Sequence, residues 1–471
     1  MLSNTVLFGI STFSSKVLSF LLTRLYTSYL DTQSFGIVDL VVASSNLLIP
    51  LVSLGISNAV IRFGLEKGIS KQHVFSGGLL AIASGFGVLL AFLPLIGQIS
   101  LLQGNLLLMY VYVLISCLRT LCCQFVRAKL YTKLYAIDGI LSTLYTLGFN
   151  ILFLVGLNMG STGYLLSIIC ADALSVVFLS LVARLWQYIR FKGFDFSLYK
   201  TMLRYSLPLV PALMFWWVTN ASDRYFISYM WGPEENGLYA AAYKIPTIVT
   251  IMSTIFTEAW QLSAVTDGQG LGRERFFSQV YSAVMSIAFL AGGGLIFADQ
   301  FIMRLLVAPD YYIAWRYVPI LIISSVFASL VAFLNSVYMV EKKSKLSLLT
   351  IMVGAIANIG LNFLFIPRFG PNGAAFATFL SYLLVFLIRV WNTRSLIRIE
   401  AKLPKVFLNT LLLFGMTLIL LYELPLWPLW CGILLGLVVA VNIGALLRGV
   451  RQVLQKRKKG KESHREEDPA L

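Results

Sequence analysis

Histidine and acid are scarce in this sequence. Its 471 residues hold two histidines, His73 and His464, and 21 acidic residues, and only 12% of the chain is charged. So little imidazole leaves a zinc site without a ligand set, and the five cysteines (Cys117, Cys122, Cys123, Cys170, Cys431) show no metal-binding spacing. They fall in apolar runs and read as small packing residues. No GxxxxGK[ST] stretch occurs, so no loop is built to cradle a nucleotide phosphate, and ATP is not the direct energy source. Large polar loops are missing too. The longest segment on the expected outer side, about 299–316, carries only Asp299, Arg304, Asp310 and Arg316. That is too little for a membrane enzyme that polymerises or ligates glycans.

What fills the chain is apolar: 58% of its residues are hydrophobic, more than a water-soluble core can use. Fourteen runs are long enough to cross about 30 Å of hydrocarbon as helices. They cover about 4–30, 36–61, 75–97, 106–126, 136–157, 162–183, 203–231, 238–262, 276–298, 317–340, 346–366, 371–393, 406–421 and 429–447. The runs are continuous rather than alternating, which favours helices over a barrel. The first is too long for a secretory signal and lacks a basic leader and a cleavage site, so it reads as a retained span. The expectation is an all-α polytopic membrane protein.

A formal net charge of +16 suggests nucleic acid, but topology accounts for it better. With the N-terminus cytoplasmic, 28 of the 37 Lys and Arg fall in cytoplasmic segments, and only Arg304, Arg316 and Arg368 fall outside. That asymmetry sets orientation and places both termini in the cytoplasm. The tail KRKKGKESHREEDPAL anchors this topology, with contact to anionic membrane lipids as an additional role. Six basic residues remain, all inside expected spans: Lys16, Arg24, Arg119, Arg224, Lys244 and Arg389.

The chain also repeats itself. TRLYTSYLDTQSFGIVDLVV (23–42) aligns with DRYFISYMWGPEENGLYAAAY (223–243), setting Arg24 on Arg224 and, after one inserted residue, Gly36 on Gly237. LGFNILFLVGLNMGSTG (147–163) aligns with IGLNFLFIPRFGPNG (359–373), setting Asn150 on Asn362. Spans 1–6 thus correspond to spans 7–12. An even number of spans per repeat makes the two halves parallel, a transporter pattern with the substrate site at the repeat interface. The expected organisation is an N-terminal six-helix bundle (1–200), a second (201–400), two further helices (401–448) and a basic cytoplasmic tail (449–471).

The segments LPLVPALMFWWVTNASDRYFISYMWGPEENGLYAAAYKIPTIVTIMSTIFTEAWQ and IANIGLNFLFIPRFGPNGAAFATFLSYLLV resemble the polysaccharide transporters of the multidrug/oligosaccharidyl-lipid/polysaccharide exporter superfamily. The resemblance spans nearly the whole chain and includes YLDTQSFGIVDL after the first span. It implies a flippase in the cytoplasmic membrane that moves undecaprenyl-pyrophosphate-linked oligosaccharide outward by alternating access. Partners would be membrane lipids and the glycosyltransferases and polymerase of the same pathway. It implies no cofactor and no nucleic acid.

Ionised groups at membrane depth are costly and default to function. Arg24, Arg224 and Lys244 lie roughly 9 Å below the expected outer surface, at 1.5 Å per residue. A pyrophosphate wants bidentate guanidinium contacts and a mobile ammonium. Arg24, Arg224, Lys244 and Arg119 are therefore candidate substrate ligands, with Trp260 (and Trp216 and Trp217) to stack on sugar. The alternative is that the basic groups snorkel to the lipid surface. Asp39, Asp223 and Glu258 are candidate ion-coupling carboxylates; the alternative is that Asp39 and Asp223 neutralise Arg24 and Lys244. Asn150 and Asn362 read as helix-to-helix hydrogen bonds. A lipid II flippase and an ion-coupled multidrug antiporter share the architecture and remain alternatives, although the antiporter wants a more acidic cavity.

Overall fold

The computed structural model describes residues 20, 22–98, 104–253, 273–341 and 343–444. Among them every regular element is helical, the one open-ended architecture that satisfies its own backbone in lipid. Residues 22–29 (α1) lead into α2, Thr32–Val52, which Asp31 caps by accepting from the Ser34 N–H at 3.2 Å. The sequence predicts one span over 36–61, but the chain breaks it. Pro50 has no N–H to continue the ladder. Leu54 and Gly55 then take positive φ, so α3, Ile56–Leu65, starts as a separate helix.

There follow α4 (Lys71–Ala91), the single-turn α5 (Leu93–Ile96), α6 (Leu106–Ala128), α7 (Thr132–Asn150, continued as a wider π-turn to Gly156) and α8 (Gly160–Ala183). Next, α9 (Phe196–Ser206) runs through a tight turn into α10 (Val210–Met230), with Pro208 and Pro211 at helix starts, where a missing N–H costs nothing. α11 is Pro233–Ala242, and residues 247–253 (α12) follow a turn containing Pro246. The remaining helices are α13 (Arg273–Leu306), α14 (Val318–Val340), α15 (Ser344–Thr393), α16 (Leu403–Leu421) and α17 (Trp427–Gly444).

Among the described residues ten candidate spans are long and apolar enough to cross a membrane, and the protein is a multi-pass membrane protein. The spans predicted over 346–366 and 371–393 both lie in α15, which is kinked at Gly370 (φ 55°, ψ −138°) between Pro367 and Pro371. Of the other expected spans, 4–30 lies mostly outside the described residues. The run 203–231 is α10 with the turn before it, and 238–262 begins as α11 and α12 before leaving the described residues.

Contacts group the chain into two units. The first holds residues 1–241 with 304–313 and 362–371. Its core is Val38 and Val41 of α2, Ile56 and Val60 of α3, Ile82 of α4 and Val113, Leu121 and Phe125 of α6. Lipid is as apolar as leucine, so close packing and hydrogen bonds, rather than escape from water, hold such helices together. The second unit holds 242–303, 314–361 and 372–471. α14 is buried along its length there, and Phe327 meets Phe289, Phe379 and Phe386 near edge-on at 5.3–6.4 Å.

Candidate functional site

The repeat-related segments meet inside the first unit. Gly36 of α2 packs directly on the backbone of Pro233 and Gly237, and Gly237 of α11 packs on Thr32 and Gly36. Any Cβ at either position would strike a backbone atom. The Asn236 amide seals the crossing by donating to the Gly36 carbonyl at 2.9 Å. Gly36 and Gly237 are the residues aligned by the sequence repeat. The two aligned positions are thus in direct contact.

Around that crossing the charges are not symmetric. Arg224 of α10 donates to Asp39 of α2 at 2.6 Å, with both side chains largely buried. Asp223, next along α10, accepts from the Tyr239 hydroxyl at 2.6 Å and from the Arg224 backbone N–H at 3.0 Å. Tyr225 bonds Ser44, and Trp217 donates to the Ala43 carbonyl at 2.8 Å. Arg224 is therefore locked into the α2–α10 packing. Arg24 holds the matching place on α1, but Asp39 aligns with Ala240, so the second repeat offers it no acid. Arg24 instead donates to the Val307 carbonyl, is exposed at the protein surface, and has no carboxylate partner among the described residues. Thr27 and Tyr311 tie the same segments: the Ala308 N–H donates to Thr27 at 3.0 Å, and Tyr311 donates to Leu30 at 2.9 Å.

Arg119 is fixed in a second polar cluster. It donates to Asp172 at 2.7 Å and to Ser175 at 3.2 Å, with Asp138 at 3.9 Å. Ser116 and Ser175 complete the carboxylates at 2.6 Å and 2.5 Å. Two acids around one guanidinium bind α6, α7 and α8 together and leave no surplus positive charge. Asn150 donates to the Tyr26 hydroxyl at 3.2 Å, and Asn362 reaches Ser222 at 3.5 Å. Each asparagine thus ties its segment to the first helix of its own repeat, one turn apart in register.

Of the predicted site residues, Arg224 and Asp39 are brought together, while Asp223 is held by Tyr239. Lys244 lies half-buried in the turn after α11, in the second unit. Glu258 and Trp260 lie outside the described residues. Sequence spacing gave no hint of the Arg119–Asp172 pair, 53 residues apart, or of the Val307 carbonyl that meets Arg24.

The sequence profile of the polysaccharide biosynthesis protein family matches residues 1–260, more than half of the chain. The chain belongs to that family. Most of the Arg24–Arg224 region therefore lies within the part that defines the polysaccharide biosynthesis proteins. No curated protein is similar enough in sequence to match. Among solved structures the fold is similar to the lipid II flippase MurJ in an inward closed conformation, with a TM-score of 0.73 at 15% identity over 95% of this chain and 100% of that one. An inward-facing multidrug resistance MATE family transporter has a TM-score of 0.64 at 15% identity, over 81% and 95% of the two chains. A Pyrococcus furiosus transporter described as having a binding pocket of reversed polarity has a TM-score of 0.58 at 14% identity, over 83% and 96%. The family member described here thus has the fold that MurJ and the MATE family transporter share.

Proposed function

We propose that this protein flips a polyprenyl-pyrophosphate-linked oligosaccharide, undecaprenyl in the family's usual setting, across the cytoplasmic membrane by alternating access. The reading has both termini in the cytoplasm and the transported headgroup entering from that side. One observation carries it: Arg24 presents an exposed guanidinium that no described carboxylate neutralises, while its repeat-related twin is consumed by Asp39. A lone guanidinium at membrane depth fits an anionic headgroup, with two parallel N–H donors for one phosphate. It does not fit a cationic drug. Family membership supports a glycan cargo. Glycosyltransferases supplying the lipid-linked sugar and a polymerase receiving it are the expected partners.

The test is to deplete the protein in its host and quantify lipid-linked oligosaccharides by mass spectrometry beside surface polysaccharide. The expected result is accumulation of intact pyrophosphate-linked oligosaccharide as surface glycan disappears. Unchanged pools of both overturn the proposal. A second reading, lipid II flipping, is favoured by the fold similarity to MurJ over 95% of this chain. Rescue of a strain depleted of its own lipid II flippase distinguishes it.

A further inference from the structure

Asp299 stands apart from every other acid described. It lies on α13, seven residues before that helix ends at Leu306, or roughly 10 Å along the axis. Its residue exposure is 0%, and neither carboxylate oxygen has a hydrogen-bond partner among the described residues. Ile296 and Met303, one turn to either side, are equally buried. Two turns before it on the same face, Gly292 meets Ile322 and Val326 of α14 and Leu413 of α16, and Phe297 approaches Gly432 of α17. The side chains that these contacts place along this stretch of α13 are all apolar.

The charged and titratable groups described near this end of the neighbouring elements have other partners or lie at the surface, Tyr317 being half-buried. Arg316, before α14, is paired with Glu423, beyond α16, at 3.6 Å, and both are about half-exposed. Tyr422 is exposed, Tyr317 is half-buried at the α14 N-terminus, and the Cys431 thiol of α17 donates to the Met416 carbonyl. Arg304, farther along α13, is exposed and sits against the Tyr312 ring at 5.3 Å. The buried Arg389 of α15 binds Val331 and Thr350, toward the other end of α14, on the order of 20 Å away. Among the described residues no ion pair or hydrogen bond joins Asp299 to any of these groups.

An ionised carboxylate is not tolerated without a partner among such side chains; the group neutralises instead. A neutral carboxyl that makes no hydrogen bond contributes nothing to this packing that an apolar side chain would not contribute better. What it can do is change charge. We propose that Asp299 is a proton-binding site: it carries a proton in the arrangement described, and it releases the proton when α13 shifts against α14, α16 and α17 and admits water. This rests on the reading of the protein as a flippase and supplies its coupling ion. It also moves the coupling role away from Asp39 and Asp223, which Arg224 and Tyr239 already hold.

The experiment uses the full-length protein in liposomes, without glycan. Infrared difference spectra across a pH titration should contain the carbonyl stretch of a protonated carboxyl that is missing from Asp299→Asn and from Asp299→Ala. In cells, Asp299→Asn at normal abundance should lose at least tenfold of polysaccharide export, and what remains should no longer respond to external pH. An identical band in the Asn variant overturns the proposal, as does export by that variant with the wild-type pH profile. Conversion of the band to ionised-carboxylate bands by sodium chloride at constant pH overturns it in favour of a sodium site. An Asp299-specific band in a protein whose depletion leaves all glycan pools intact keeps the proton site and sinks the flippase reading.

Discussion

Arg24 and Arg224 align in the sequence, and their side chains do opposite things. Arg224 neutralises Asp39 within a packed crossing, whereas the Arg24 guanidinium meets a backbone carbonyl and, among the described residues, no carboxylate. Equal substitutions should therefore fail differently. Arg24→Ala should leave abundance and melting temperature near wild type and cut export by roughly ten- to hundredfold, since a charge-assisted hydrogen bond contributes about 1.5–3 kcal/mol and 1.4 kcal/mol is about tenfold. Arg24→Lys should recover part of the loss, keeping the charge without the fork. Arg224→Ala should instead lower abundance, because removing one partner of a buried pair costs about 3–5 kcal/mol. Adding Asp39→Asn should restore the level. Immunoblots beside export measurements separate the two cases. Normal abundance of Arg224→Ala with no export would return Arg224 to substrate binding. From sequence alone the two arginines look alike. What distinguishes them is one position of the partner segment, Asp39 against Ala240, and that mattered only once α2 was seen to pack on α10.

At the scale of elements, the expected repeat is written in residues that hydrocarbon alone does not require: an arginine, a glycine and an asparagine in each half. The Gly36–Gly237 crossing gives that alignment a physical reason, since only a residue without Cβ lets the α2 and α11 backbones touch. Gly36→Ala should thus force the helices apart and lower stability by about 1–3 kcal/mol, the usual cost of overpacking. Gly148→Ala has nothing within contact range of its new Cβ and should be neutral or stabilising by up to about 1 kcal/mol through helix propensity. Melting of the purified protein in detergent reads both, and equal shifts would argue against the crossing as a stabilising contact. The kink in α15 was also readable, since Pro-Arg-Phe-Gly-Pro cannot continue a straight helix. The break between α2 and α3 was not. A single apolar run hides it, because hydropathy registers length and composition but not the positive φ at Leu54 and Gly55. The cluster of Arg119, Asp138 and Asp172 escaped for a related reason: helix-to-helix pairs join positions whose spacing the sequence does not encode.

For the molecule as a whole, orientation rests on the distribution of basic residues, and parity makes it testable at two sites. Gly232 lies in the turn between α10 and α11, and Lys342, outside the described residues, falls in the sequence after α14 and before α15. Three expected crossings separate them: the run 238–262, α13 and α14. An odd number puts them on opposite faces. Lys342, Lys343 and Lys345 follow one another closely in the sequence, while residues 231–237, which include the start of α11, carry Glu234 and Glu235 and no basic residue. The positive-inside rule then places Lys342 in the cytoplasm and Gly232 outside. In a variant lacking the five native cysteines, Gly232→Cys should react with an impermeant maleimide in intact cells. Lys342→Cys should react only after permeabilisation. Labelling of both sites in intact cells would break the parity and require an even number of crossings between them. Labelling of Lys342→Cys alone would invert the whole protein, placing Arg24 near the cytoplasmic face. A guanidinium there would meet the pyrophosphate at loading rather than at release, and Arg24→Ala would then weaken uptake of the lipid-linked sugar from the cytoplasmic leaflet instead of its delivery outside.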